Sequence, residues 1–289
     1  MAELAGKLPF CCERKYKQVK LSSMIKFAAF RYYFHSIVSI VRGFYHPYRV
    51  LVSLLDISGN SGIHGTVKLK NSGVTFSIRN GMDVWSIKES FLDDFYRLNE
   101  TSPESLNVIL DIGAGIGEFA IQAGSKCPHS RIYGFEPFPE SFSMFQKNID
   151  CNGLTNIYPV GAAVSSIPGN LVMDTSSGNP LQYSAQNDSQ TGIPVSTIVL
   201  LDFIKQHDIE TVDLLKMDCE GGEFAILLPL SNQELSRFKR IVMEYHDSIT
   251  SHHHDELLSH LKNGGFSVEV KPNVVHDDIG YIYAQYIKS

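Results

Sequence analysis

Val108-Ile109-Leu110-Asp111-Ile112-Gly113-Ala114-Gly115-Ile116-Gly117-Glu118-Phe119-Ala120 decides how this chain is read. An apolar run meets an acid and then turns through three glycines, each separated by one residue. A short run of this kind without polar alternation predicts a strand buried on both faces of a parallel sheet. Glycine permits positive φ and puts no Cβ between backbone and ligand, while the helix expected over Ile116–Ser125 offers free N–H groups at its start. The pattern is a nucleotide cradle. A dinucleotide fingerprint needs its third glycine one place further on, where Glu118 stands, and calls for no acid before the first. The spacing therefore disfavours a nicotinamide dinucleotide.

The next strand is expected over Arg131–Phe135, ending in Glu136-Pro137. A carboxylate at the end of the second strand can accept both hydroxyls of a ribose. Pro137 leads into a helix over Phe138–Asn152 while leaving Glu136 at the strand edge. Asn156–Val164 reads as the third strand, and its small residues Gly161, Ala162 and Ala163 suit a backbone lip against a flat purine. Ile167–Pro194, polar between Asp174 and Gln190, reads as a hairpin or loop over the substrate, or as a solvated turn. Thr197–Gln206 is expected to be helical.

Val212–Met217 then delivers Asp218-Cys219-Glu220-Gly221-Gly222-Glu223. Three carboxylates in six residues repel one another unless a cation, a metal or a proton relieves them. Asp218 and Glu220 are the candidates to meet a substrate hydroxyl or a cofactor's positive groups. A further strand from Arg240 ends in Glu244-Tyr245-His246. Residues two apart share a side if the strand persists, and an acid beside an imidazole raises its basicity. His246, oriented by Glu244, is thus the candidate proton acceptor, against the plainer reading of a structural histidine. A helix over Asp255–Asn263, closed by Gly264-Gly265, precedes two final strands, Phe266–Lys271 and Tyr281–Ile287. His252-His253-His254 at the helix entrance point in different directions and read as a solvated face, so no metal site is expected.

Upstream, residues 1–57 form an N-terminal helical extension with a helix-compatible run over Leu21–Val41. Lys26, Arg31, His35 and Arg42 interrupt it, which excludes a simple membrane span or a standard signal peptide. The extension either packs on the domain or a second subunit, or makes peripheral membrane contact, with Cys11 and Cys12 as acylation candidates. From residue 58 a turn at Ser58–Gly62 leads into strands Gly65–Leu69 and Val74–Arg79 about an Asn71-Ser72-Gly73 turn. Asp83–Leu98 follows as a helix or two short helices with a core-facing stripe, completing a leading unit over 58–100 before the cofactor-binding sheet of 101–289.

A chain of 289 residues can hold one large α/β domain with such an extension. Its net charge of −6 argues against a nucleic-acid coat and for a small or polar acceptor. The five cysteines form no C-x-x-C pair, which favours free thiols in a reducing, cytoplasmic compartment, with membrane association if the extension lies on a surface.

With Asp111-Ile112-Gly113-Ala114-Gly115-Ile116-Gly117, Glu136-Pro137, Leu215 through Glu223, and Glu244-Tyr245-His246 in this order, the chain resembles the FkbM-type methyltransferases from about Gly65 to its C-terminus. The Asp218-x-Glu220-Gly221-x-Glu223 element is the most specific part. The resemblance implies an α/β fold with a seven-stranded Rossmann-like sheet, mostly parallel, whose last strand is antiparallel. It implies S-adenosyl-L-methionine as methyl donor and O-methylation of a glycan or small natural product. Asp111 would then face the donor's cationic amino-acid end, and Gly113, Ala114, Gly115, Gly117, Glu136, Pro137, Ala162 and Asp218 would bind it. Gly115 departs from the family, which commonly has Asn there. The rival readings are a non-catalytic scaffold that keeps the fold and a nicotinamide-dependent oxidoreductase.

Overall fold

The structure, a computed structural model, describes residues 30–55, 65–174, 184–186 and 192–287. The expected boundary at 57/58, the Ser58–Gly62 turn, Cys11, Cys12 and the first part of the Leu21–Val41 run lie outside these residues. Residues 30–43 are helical (α1), and Pro47 opens α2 (Pro47–Leu55), where a missing N–H costs nothing. Ile40, Phe44 and Val50 enter the same core as the following elements, so this part of the extension is packed on the domain. No helix among the described residues is long and apolar enough to cross a membrane.

Strands β1 (Gly65–Lys68) and β2 (Thr75–Ile78) pair antiparallel about Gly73, which takes the left-handed φ of 73° that the turn requires. Helix α3 (Gly81–Phe91) begins earlier than its apolar stripe suggests, because the Asn80 side chain accepts from the N–H groups of Met82 and Asp83. It also ends earlier than Leu98. The Lys88 carbonyl accepts from both Leu92 and Asp93, and Asp94 and Arg97 adopt left-handed conformations that break the helix before a short 3-10 turn at Leu98–Glu100.

The sheet then builds through β3 (Val108–Ile112), α4 (Glu118–Lys126), β4 (Arg131–Phe135), α5 (Pro139–Asn152) and β5 (Ile157–Val160). The third strand expected over Asn156–Val164 is two strands in different sheets. The Val160 carbonyl accepts from both Glu136 and Ala162, which turns the chain at Gly161 and sends β6 (Ala163–Ser165) away. β6 joins a smaller sheet with β7 (Gly169–Asp174), β8 (Ser184–Gln186) and β9 (Gly192–Val199) in the order β6-β9-β7-β8. Residues 197–199 therefore belong to a strand, and only α6 (Leu200–Gln206) is helical. Val195, Thr197, Ile198 and Val199 are β-branched, and pairing with β6 and β7 decides their conformation.

The chain returns through β10 (Leu214–Met217), α7 (Gly222–Leu227), α8 (Asn232–Leu235), β11 (Arg240–His246), α9 (His254–Asn263), β12 (Phe266–Pro272) and β13 (Ile279–Tyr286). The seven strands lie in the order β12-β13-β11-β10-β3-β4-β5, with β13, the last in sequence, antiparallel to both neighbours. Successive residues of β3 feed two cores, Ile109 on one face and Val108, Leu110 and Ile112 on the other. The strand order reverses between β3 and β10. That switch point opens a crevice at the carboxyl ends of both strands.

Polar clamps lock the leading hairpin to this sheet. The buried Asn148 on α5 accepts from Ser77 N–H at 2.7 Å and donates to the Ile116 carbonyl at 3.0 Å, while Arg79 pairs with Asp83 and donates to Ser141. Asn148→Ala leaves two backbone groups without partners, each costing about 1–3 kcal/mol, so it should destabilise the fold by roughly 2–4 kcal/mol. Urea unfolding monitored by circular dichroism would measure this; a loss under about 1 kcal/mol would mean that the clamp is not structural.

Candidate functional site

The glycine turn after β3 is stapled from both sides. Gly113 and Ala114 donate to the Phe135 carbonyl at 3.0 and 2.9 Å, and Lys216 of β10 donates to the Gly113 carbonyl at 2.7 Å. Gly113 has a φ of 76°, and a Cβ there would sit 1.7 Å from the Asp218 carbonyl oxygen. Only glycine lets the two strand ends approach this closely. Gly117, at a φ of 92°, starts α4 with Phe145 where its own Cβ would be.

The turn walls a cavity of about 520 Å³ at the switch point. Gly113, Gly115, Glu136, Pro137, Ala162 and Ala163 line one part of it. Ala114 and Gly117 shape the turn from behind without lining the cavity, and Asp111 does not reach it either. The Asp111 carboxylate lies fully buried beneath the turn, 2.9 Å from the Lys216 ammonium, so it does not face a ligand's cationic end as expected. The sequence reading took the acid for a wall residue because Lys216, its partner, lies far along the chain on another strand.

Glu136 sits where the strand edge was expected to place it. One carboxylate oxygen accepts from Gly115 N–H at 2.8 Å and the other from Phe138 N–H at 2.9 Å. Burial pushes its pKa up to about 8, with those two N–H groups opposing. Glu118, which the sequence reading used only to reject a dinucleotide, also lines the cavity. One of its oxygens bonds the Ser86 hydroxyl, and the other has no hydrogen-bond partner despite being buried. Burial pushes this carboxyl up to about 7, opposed by Lys216.

The other part of the cavity gathers Asp218, Glu220, Glu244 and His246. Asp218 accepts from the Tyr96 hydroxyl at 2.9 Å. β11 does persist through His246, yet Glu244 is not its ion-pair partner. Their side chains do share a side, and a Glu244 oxygen comes within 4.8 Å of a His246 ring nitrogen, but Glu220 and Glu223 come closer. His246 instead lies between Glu220, 3.5 Å from Nε2, and Glu223, 3.7 Å from Nδ1. Burial alone would lower the imidazole pKa, but Glu223, Glu220 and Asp218 outweigh it and push it up to about 10. The same burial acts on Glu223, where His246 and the Cys219 N–H more than offset it and hold the carboxyl below its ordinary range. Glu220, in a left-handed conformation with a φ of 51°, is pushed up to about 7 by burial, with His246 opposing. Burial and then Asp218 raise Glu244 well above the usual carboxylate range. Asp218, Glu244 and His246 bring one polar atom each within 4.8 Å of one another.

Several wall residues were missed. Met82, Trp85, Ser86 and Glu89 follow helical spacing on α3 and line the cavity, and Trp85 donates to Glu89 at 2.8 Å. This second stripe was legible beside the core-facing one. Tyr32 and Tyr33 of α1 also reach the cavity. His253 and His254 do not diverge: both contact Asp247, at 3.2 and 2.6 Å, because His253 is the extended N-cap of α9 and lies off the helical wheel. Cys127, Cys151 and Cys219 are free thiols.

A glycine cradle, an acid at the second strand's end and a cluster of acids at the fourth, all on one switch-point crevice, define a Rossmann-like methyltransferase fold and site. The model of the methyltransferase FkbM domain matches residues 111–268, more than half of the chain. The chain belongs to the FkbM methyltransferase family, and it is an S-adenosylmethionine-dependent methyltransferase of that type. The oxidoreductase and scaffold readings fall away. A relative named Methyltransferase 1, from Beauveria bassiana (strain ARSEF 2860), is 27% identical over 207 residues, covering 64% of this chain and 81% of its own. The 31-O-demethyl-FK506 methyltransferase FkbM of Streptomyces tacrolimicus is 23% identical over 238 residues, covering 72% of this chain and 91% of its own. A solved methyltransferase FkbM from Methylobacillus flagellatus KT overlaps 62% of this chain and 44% of its own, at 15% identity and a TM-score of 0.42. The fold itself rests on the strand order.

A carboxylate must be ionised for both its oxygens to accept from a ribose. Because Glu136 is pushed up to about 8, donor affinity should rise with pH towards that value and level off above it. Calorimetric titration with S-adenosylhomocysteine across this range should show the slope, and Glu136→Gln should flatten its upper part near pH 8 while weakening binding by about 1–3 kcal/mol, leaving below it the part due to Glu118, which is pushed up to about 7. A slope near pH 8 that is unchanged in the variant would take Glu136 out of the expected ribose contact.

Proposed function

We propose that this chain methylates a hydroxyl oxygen of a glycan or small natural product. The observation that carries the reading is the Glu220, His246 and Glu223 cluster, set beside Asp218 in the same cavity as the glycine turn and Glu136. The relative named for 31-O-demethyl-FK506 acts, by its name, on an oxygen of that compound, which supports the same reaction type here. The residues present fit the donor: Glu136 offers acceptors to a ribose, and the unpartnered Glu118 oxygen and Asp218 offer negative charge to an ammonium group. Bound S-adenosylmethionine supplies a methyl group already activated by its positively charged sulfonium.

The chain's own task is to hold the acceptor hydroxyl and take its proton. The sequence reading gave the proton to a neutral His246. With its pKa pushed up to about 10, His246 is an imidazolium at neutral pH and has no lone pair to offer. Glu220 takes the role. At about 7 its pKa lies near the operating pH, where a general base is most effective. His246 steadies the ionised form of Glu220, and Asp218, fixed by Tyr96, positions the hydroxyl. Positive charge from His246 and from the donor meets the cluster's acids, and this reading invokes no metal.

An assay transferring labelled methyl to a panel of glycans and small hydroxyl compounds identifies the acceptor and then tests the roles. Glu220→Gln should lower turnover by about 10²–10⁴-fold and leave S-adenosylhomocysteine affinity unchanged; wild-type turnover would reject Glu220 as the base. The wild-type rate should rise with pH through about 7. His246→Ala removes a positive neighbour that lowers the Glu220 pKa, so the rise should move to higher pH; a move to lower pH, or none, would contradict this pairing. Turnover should also survive a chelator. Loss on chelation with recovery on adding magnesium would replace the metal-free reading.

A further inference from the structure

The catalytic cleft does not account for the outer side of the first helix. Phe30, Phe34, Ile37 and Val41 fall at i, i+4, i+7 and i+11 on α1, which at 100° per residue places them in one narrow stripe. All four are exposed, Phe30 by 67% and Phe34 by 60%, and exposed Tyr45 and Tyr48 extend the patch towards α2. This is not a helix waiting for its own core. Ser36 and Ile40 on another side of α1 are already buried, and Phe44 just beyond it bridges to Leu69.

Charge says what covers the stripe. Arg31 and Arg42, about three turns apart, lie together along one flank of it, and exposed Arg49 on α2 and Lys68 on β1 extend the positive surface. Residues 30–54 contain no Asp or Glu, although the chain as a whole carries −6. An apolar stripe rimmed by cations and free of acids, on an otherwise acidic protein, is complementary to an anionic bilayer surface. Tyr32 and Tyr33 of the same helix line the catalytic cavity.

The geometry points to α1 and the start of α2 as a peripheral docking face for an anionic lipid surface. Phe34, Ile37 and Val41 sink among the acyl chains, Arg31 and Arg42 sit at the headgroups, and the cavity wall formed by Tyr32 and Tyr33 is held beside the lipid. The proposal is independent of the acceptor's identity, since neither Phe34 nor Ile37 touches the cavity.

Flotation of the full chain with phosphatidylcholine vesicles, with and without added phosphatidylserine, tests it. The wild type should bind the phosphatidylserine vesicles on the order of ten- to hundred-fold more tightly, and lose that preference at high salt. Phe34→Asp with Ile37→Asp should lower binding to both vesicles by roughly ten-fold or more, and Arg31→Glu with Arg42→Glu should abolish the preference for phosphatidylserine. All variants should keep wild-type S-adenosylhomocysteine affinity, showing that the domain is folded. Equal binding to the two vesicles, or binding unchanged in both double variants, would overturn the proposal. So would a chain that ignores vesicles but forms dimers that Ile37→Asp dissociates, since the face would then cover a second copy.

Discussion

A lysine ammonium sealed inside the sheet is the constraint on which the rest of this site depends. Lys216 projects from the middle of β10 with its side chain only 2% exposed, and its Nζ lies 2.9 Å from Asp111 and 2.7 Å from the Gly113 carbonyl. It also sits over the Tyr96 ring, 5.1 Å from the centroid. Burial works against the charge, but Asp111, Asp218 and Glu118 outweigh it and keep the ammonium protonated. A buried ion pair adds little net stability over an apolar pair, yet losing one partner typically costs about 3–5 kcal/mol. What this pair does is geometric: it ties the first glycine turn to the strand that delivers Asp218, and the two strand ends then close until only glycine fits between them.

From that anchor the crevice divides by charge. Gly115 and Glu136 form a wall of backbone donors and a ribose acceptor, while Asp218, Glu220, Glu223 and Glu244 crowd together against one imidazole. So many acids cannot all ionise in a buried site without positive charge among them. Lys216 supplies it below the turn and His246 beside it. That division explains why His246 is a fixed cation and leaves Glu220, balanced between burial and the His246 charge, as the group whose proton is easily moved.

Much of this was legible in the chain, and the failures share a cause. The glycine turn, the Glu136 edge, the leading hairpin and the antiparallel last strand follow from local spacing and from the family resemblance, and the structure has them. Local spacing failed where a distant partner decides the outcome. Residues 197–199 become strand rather than helix because β6 and β7 pair with β9, and the run from Asn156 breaks at Gly161 because Val160 is shared with Glu136. Asp111 turns inward because Lys216 awaits it, and His246 turns to Glu220 and Glu223 rather than to its neighbour on the strand. The second stripe on α3 was overlooked for a different reason: a helix with a core face can carry a functional face beside it, and one periodic pattern concealed the other.

The central claim is that the buried Lys216 anchor builds the donor site. Titration calorimetry of S-adenosylhomocysteine into the wild-type chain and into an Asp111→Asn, Lys216→Met double variant tests it most directly, because removing both charges leaves neither partner of the pair as a lone buried ion. The account predicts one site in the wild type and affinity weakened by roughly ten-fold or more in a variant that still unfolds cooperatively. Equal affinity in the two proteins, or no binding to the wild type, would contradict it.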